Sequence, residues 1–224
     1  MIEENIQRLR AELPEGARLV AVSKLKPADD IMAAYRAGQR LFGENYATEL
    51  RDKAAVLPKD IEWHFIGHLQ SKQLKYYINF VSMIHGVDSV EHLEDIDRAA
   101  AKAGRVVDVL LQFHIAREET KFGFSIDEAG ALDASRMAAL QHVRVCGVMG
   151  MATNTPDEEQ VRSEFRELRH IFDTLRSGLF AGHPEFREIS MGMSHDYRLA
   201  LAEGATLVRL GTSIFGARDY SKHK

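Results

Sequence analysis

Lys24 closes the run Arg18-Leu19-Val20-Ala21-Val22-Ser23-Lys24, a stretch of strand character that ends in a single primary amine. Lys26-Pro27-Ala28-Asp29-Asp30 follows and reads as a turn and helix start, with proline and acidic residues in the first turn. An amine at the lip of a buried sheet is partly desolvated. That disfavours its ammonium form and leaves the neutral amine that attacks an aldehyde. Alone, Lys24 reads better as a lysine on a surface loop; its weight comes from residues further along the chain.

Two downstream segments offer anion chemistry. Ser190, Gly192, Met193 and Ser194 lie in Ser-Met-Gly-Met-Ser, and Gly211 and Thr212 in Leu-Gly-Thr-Ser. Each supplies hydroxyls and bare backbone N–H groups at a helix start, where oriented amides favour a phosphate dianion without Lys or Arg. Either segment alone is an ordinary cap or tight turn. Placed together after two adjacent strands, they make a phosphate site the better reading. A lysine suited to a Schiff base, together with a phosphate site, suggests pyridoxal 5'-phosphate (PLP). Arg209 refines this: at the end of its strand it could face the pyridine nitrogen. Its guanidinium keeps its proton, so that nitrogen would stay unprotonated and the ring would be a poor electron sink. The competing role for Arg209 is to pair a barrel carboxylate such as Glu44.

These residues need elements to hold them. Strands are expected near 18–23, 40–43, 62–66, 81–85, 106–114, 142–149, 186–190 and 205–210. Helical patterns lie near 28–38, 45–56, 70–79, 89–103, 125–138, 157–177 and 194–203, with an extra helix near 2–13. Alternation of this kind implies βα units and a parallel sheet. Eight strands fit an α/β fold of the closed (β/α)8 TIM-barrel type better than an open doubly wound sheet of about five or six. No linker divides residues 1–224, which read as one domain. A barrel gathers its site at the C-terminal strand ends, which adds the segments Phe42–Tyr46, Phe65–Lys72, His85–Ser89 and Met149–Met151 to the candidates.

Composition narrows the classes. The chain has 224 residues, 45% hydrophobic, with net charge −4 and no basic block, which argues against nucleic acid as the main partner. Its one cysteine, Cys146, has apolar neighbours and reads as a buried, inert thiol. No signal-peptide character or membrane-length apolar run is present, so a cytoplasmic protein without a membrane partner is expected. The histidines show no metal-ligand spacing, and no metal is expected. Ser194-His195-Asp196 are consecutive; read as part of a helix, they cannot share a face as a relay. Residues 157–176 form an amphipathic charged helix, read as a solvated outer face.

The chain resembles the pyridoxal phosphate homeostasis proteins, the YggS/PROSC family. The resemblance is carried by Ala21-Val-Ser-Lys24 with Lys26-Pro27, Phe42-Gly-Glu-Asn-Tyr46, Trp63-His-Phe-Ile-Gly-His-Leu-Gln-Ser71, Ile84-His85 with Val87-Asp88-Ser89, and Gly147-Val148-Met149. It continues in Ser190-Met-Gly-Met-Ser194 and residues 208–218, and so covers nearly the whole chain. It implies a fold-type III barrel similar to the N-terminal domain of alanine racemase, with Lys24 forming the internal aldimine. It further implies Ser190, Met193, Ser194, Gly211 and Thr212 around the phosphate, Arg209 at the pyridine nitrogen, Asn45 and Met149 lining the ring with Ile66 and His85, and Lys121 in cofactor exchange. One departure is Lys72-Gln73-Leu74-Lys75, where the family pattern has an Asn-Lys pair, so no role carries over to Lys72.

The resemblance also implies a cofactor carrier in PLP homeostasis rather than an enzyme, with apo PLP-dependent enzymes as candidate recipients. The chain ends about a dozen residues after the eighth strand, leaving no room for the β-domain that supplies racemases with a second proton carrier. An open, monomeric site is expected for the same reason. The first alternative is a weak PLP-dependent racemase or lyase, with Tyr46 or His85 carrying the proton. The second is a sugar-phosphate aldolase, disfavoured because strand 6, Val143 to Met149, contains Arg144 and no lysine.

Overall fold

The computed structural model describes residues 1–117, 122–125, 128 and 132–217. Eight parallel strands close into a barrel in sequence order: β1 Arg18–Val22, β2 Leu41–Glu44, β3 Glu62–Phe65, β4 Met83–Val87, β5 Val107–Phe113, β6 Val143–Gly150, β7 Glu188–Ser190 and β8 Leu207–Leu210. Closure comes from β1 against β8, in a register that sets Val20 beside Arg209 and Ala21 beside Leu210. The expected strands and the barrel are therefore present, each strand within a few residues of its sequence-based limits.

The outer ring comprises α2 Ala28–Arg36, α3 Ala47–Val56, α4 Val90–Lys102, α5 Ala134–Ala139, α6 Glu158–Ser177, α7 Tyr197–Ala202 and the short α8 Thr212–Phe215. The expected helix at 70–79 is a 3₁₀ turn, Ser71–Tyr76. Of the pattern at 125–138, the described helical part is α5. The amphipathic α6 buries Val161, Phe165, Leu168, Ile171, Phe172 and Leu175 on one stripe, as its 3.6-residue period requires. The N-terminal helix α1, Ile2–Glu12, is more than an appendage. Its Glu12 accepts from Tyr197 and Arg198 of α7, and its Arg10 donates to the Ala37 and Gly38 carbonyls that follow α2. With Ile6 and Leu9 fully buried, α1 packs against α2, α8 and β1.

Alternation sorts the strand residues into two faces. Leu19, Ala21, Phe42, Trp63, Phe65, Ile84, Val109, Ile189, Val208 and Leu210 belong to the large core between barrel and helices. Val20, Met83, Leu110, Cys146, Met149 and Leu207 form a separate cluster inside the barrel. Cys146 is the extra residue of a bulge, since Val145 pairs with Val109 and Gly147 already with Leu110. Its thiol is buried, and desolvation pushes its pKa up to about 12, so it is the inert thiol expected. Among the described residues no helix is long and apolar enough to cross a membrane, and no group of three or more His, Cys, Asp or Glu could hold a metal.

Candidate functional site

Lys24 sits half-buried just past the end of β1. Its neighbours are fixed by a network that begins on the outer face of the barrel. Glu44 ends β2 fully buried, and its Oε1 accepts from Ser23 Oγ at 2.6 Å and from Lys53 Nζ at 2.8 Å. Lys53, on α3, also donates to the Ser23 carbonyl at 2.7 Å and to Glu49 Oε1 at 2.7 Å. The same Glu49 oxygen accepts the Leu25 amide at 2.7 Å. Burial pushes the Glu44 carboxyl up to about 7 against the pull of Lys53, and its second oxygen, Oε2, has no hydrogen-bond partner. Strand parity separates Glu44 from Arg209: Glu44 faces the helix layer, whereas Arg209 alternates with Val208 and Leu210 and faces the barrel interior. The pairing of Arg209 with Glu44 considered from sequence is thus replaced by Glu44–Lys53.

Inside the barrel a chain of polar groups runs across the upper layer. Arg209 Nη1 donates to Ser190 Oγ at 2.7 Å and Nη2 to the Gly150 carbonyl at 3.2 Å. Ser190 Oγ lies 2.9 Å from His85 Nδ1, and His85 Nε2 lies 2.9 Å from His64 Nδ1. Arginine can only donate, so Ser190 Oγ accepts from Arg209; its own proton then has His85 Nδ1 as its one neighbouring acceptor, an arrangement in which His85 Nε2–H donates to His64. Both imidazoles are then neutral. Burial agrees, lowering His64 to about 3, with a smaller push from Arg18. It holds His85 well below the ordinary histidine range, with His64, Arg209 and Arg18 adding to the effect. Burial also lowers Arg209 to about 10, with the Asp196 charge opposing, so Arg209 remains a cation at neutral pH.

The loops after β7 and β8 meet at Ser194. Its Oγ lies 3.2 Å from the Gly211 amide and 3.3 Å from the Ser213 amide, so two N–H groups converge on one oxygen. Gly192 makes this approach possible. Its φ is +92°, and a Cβ there would stand 2.6 Å from the Ala200 Cβ, while its carbonyl accepts the Arg209 amide. Met193 is half-buried and its amide donates to Asp196 Oδ1; Thr212 is exposed at the first position of α8. Ser194-His195-Asp196 lie in a turn before α7 rather than in a helix. Asp196 stands 3.2 Å from His195, but the Ser194 hydroxyl faces amides, so no relay forms.

The remaining candidates fall at the same end. Asn45 follows β2, and its Oδ1 is buried without a hydrogen-bond partner. Ile66 folds over Gly43 on the inner face, and Met149 belongs to the interior cluster. Tyr46 is half-exposed. Lys72 is exposed on the 3₁₀ turn, and Lys121 lies outside the described residues. Sequence reasoning missed His64, Lys53, Glu49 and Ser23. His64 was signalled by the alternation Trp63-His64-Phe65, which turns it inward. Glu49 and Lys53 carry the i,i+4 spacing of a common surface pair.

The family model of the alanine racemase N-terminal domain matches residues 1–219. Alanine racemase from Bartonella henselae shares that fold, with a TM-score of 0.71 at 16% identity over 99% of this chain and 60% of that one. Much nearer is a pyridoxal phosphate homeostasis protein of Aquifex aeolicus (strain VF5), 38% identical over 205 residues, 91% of this chain and 88% of that protein. PipY of Synechococcus elongatus PCC7942, solved with PLP bound, gives a TM-score of 0.87 at 36% identity over 96% of this chain and all of that one. The chain belongs to the family of pyridoxal phosphate homeostasis proteins.

Proposed function

We propose that this protein binds PLP covalently through Lys24 and acts as a carrier and buffer of the cofactor, holding it without robust turnover. The observation that carries the reading is the placement of three functions on two neighbouring strands. The amine follows β1. β8 beside it carries the buried cation Arg209 inward and leads into the amides of Gly211 and Ser213. The residues fit the group: a half-buried amine, a buried donor, an unpartnered buried oxygen on Asn45, and amides gathered on one side. When bound, PLP supplies an aldehyde that condenses reversibly with a primary amine, one water leaving.

Each residue then has a task. Ser194, Gly211 and Thr212, with Ser190 and Met193 beside them, hold the phosphate through hydroxyls and backbone N–H groups. Asn45 and Met149 line the ring. Arg209, held by Ser190 and Gly150, faces the ring nitrogen as a donor and withholds a proton from it. The same arrangement supports weak catalysis at most. His85, the interior candidate for a proton carrier, is neutral, fully buried and bonded at both nitrogens. The bound PLP of PipY supports the cofactor, and the names of the relatives favour a homeostasis role over a racemase or lyase.

The test is borohydride reduction of the protein with PLP, then peptide mass mapping, beside Lys24→Ala. A pyridoxyl adduct on Lys24 that is lost in the variant supports the reading; an adduct scattered over surface lysines contradicts it. Solvent-deuterium exchange at an amino-acid α-carbon at enzyme-like rates would overturn the carrier role while leaving the cofactor in place.

A further inference from the structure

Leu25, the residue after Lys24, has φ +60°, the only positive φ at a non-glycine position among the described residues. A residue with a Cβ rarely adopts this conformation, and such strain persists only where surrounding contacts enforce it. The contacts here are specific. The Leu25 amide is bound by Glu49 Oε1 at 2.7 Å. On the other side of Lys24, the Ser23 carbonyl is bound by Lys53 Nζ at 2.7 Å and the Ser23 hydroxyl by Glu44 at 2.6 Å. Lys53 joins the two sides by bonding Glu49 and Glu44 together, at 2.7 and 2.8 Å. The backbone is therefore gripped on both flanks of Lys24 by two side chains of α3, Lys53 and Glu49, while Glu44 of β2 holds the Ser23 hydroxyl.

This grip exceeds what the fold needs there. β1 is already paired on both sides, to β2 and β8; the Ser23 amide still bonds the Gly43 carbonyl of β2, and the Lys26 amide closes a backbone turn onto the Ser23 carbonyl, so main-chain bonds alone already define the path through Lys24. A buried lysine shared by two carboxylates is a poor way to gain stability, because desolvation offsets most of the attraction. It is a good way to fix geometry, since every member has a defined partner.

We propose that Lys53 and Glu49 are positioning residues, which hold the Ser23–Leu25 backbone in its strained form so that the Lys24 amine is presented to the aldehyde of PLP. The proposal rests on Lys24 being the attachment point. Neither Lys53 nor Glu49 is assigned contact with the cofactor; both act through the backbone that flanks Lys24.

The experiment separates covalent attachment from simple binding. Apo wild type, Glu49→Gln, Lys53→Met and the double variant Leu25→Gly/Glu49→Gln are titrated with PLP, and the Lys24 adduct is quantified after borohydride. The same proteins are titrated with 4'-deoxypyridoxine 5'-phosphate, which has the ring and phosphate but no aldehyde. Glu49→Gln lowers the apparent affinity for covalent attachment about tenfold, as expected for weakening charge-assisted bonds to the backbone and Lys53, and leaves affinity for the deoxy analogue within about twofold. A glycine in place of Leu25 adopts the same φ without strain, so the double variant recovers most of the loss. Lys53→Met follows Glu49→Gln if it folds; Glu49, partly exposed, keeps the test decisive if it does not. Parallel losses for PLP and the analogue, unchanged attachment in Glu49→Gln, or no recovery in the double variant would each overturn the clamp. Absence of a Lys24 adduct in the wild type would overturn the attachment point itself, and the clamp with it.

Discussion

At the scale of single residues, Ser190, which ends β7, and Ser194, in the loop that follows, differ in how much of the fold hangs on their hydroxyls. Ser190 is fully buried, accepts from Arg209 and donates to His85. Removing its hydroxyl strands a buried acceptor on His85 and a buried donor on Arg209, so Ser190→Ala should cost about 1–3 kcal/mol in urea unfolding of the apo protein. Ser194 is half-buried, and its oxygen faces amides that can turn to a phosphate instead. Ser194→Ala should leave that unfolding midpoint nearly unchanged while weakening retention of PLP in equilibrium dialysis. Equal stability losses in the two variants would count against this division. Lys24, Arg209, Ser194 and Gly211 could be nominated from the sequence only as a set: each is ordinary alone, but an amine, an arginine and two amide-rich turns at neighbouring strand ends are not. Lys53 could not be nominated, because a glutamate and lysine at i,i+4 are the ordinary dress of a solvated helix. Only the buried Glu44 beneath it turns that pair into a network. The partner of Arg209 was illegible for a related reason: it depends on which face each strand residue takes, and a shift of one position reverses the answer.

At the scale of elements, the strands and the outer helices could be read from alternation and 3.6-residue periodicity. What could not be read was local register. β6 reads as one unbroken strand, Val143-Arg144-Val145-Cys146-Gly147-Val148-Met149, yet it is bulged at Cys146. The bulge turns on Gly147, whose φ is +152° and where a Cβ would fall 1.9 Å from the Glu188 carbonyl oxygen of β7. No side chain fits without separating the two strands, which also displaces Met149 and Ser190, paired across them. Gly147→Ala should cost about 3 kcal/mol or more, a fall in Tm of roughly 6–12 °C for a chain of this size. Gly104 is the control: its φ is +64° but nothing lies within 4 Å of a Cβ, so Gly104→Ala carries only the backbone strain, about 1 kcal/mol. Similar Tm losses for the two would mean that conformation, not the approach of β7, fixes Gly147. The 3₁₀ turn Ser71–Tyr76 shows a second limit of periodicity: six residues are too few to distinguish a tight helix from an α-helix by pattern.

For the whole molecule, the buried titratable groups set how stability responds to pH, and they oppose one another. His64 is lowered to about 3 and His85 is held well below its ordinary value, both chiefly by burial. Below pH ~6.5 the unfolded chain takes up protons on both rings that the native barrel refuses, so stability present above that pH is lost as pH falls. Glu44 works in the other direction. Its carboxyl is raised to about 7, so between pH ~4.5 and 7 the native state holds a proton that the unfolded chain has released, and stability is lost as pH rises. Over pH 4.5–6.5 two rings are set against one carboxyl. The native chain should therefore lose about 1.4 kcal/mol for each unit of acidification, the value of one net proton. Removing the opposing carboxyl with Glu44→Gln should steepen that slope towards twice its value. His64→Gln keeps an acceptor for His85 and should flatten the slope towards zero. Unfolding free energies from denaturant titrations at half-unit steps of pH would measure both. Slopes that stay equal in all three proteins would mean that these groups are solvated in the native state, and that the polar chain from Arg209 to His64 does not form as described.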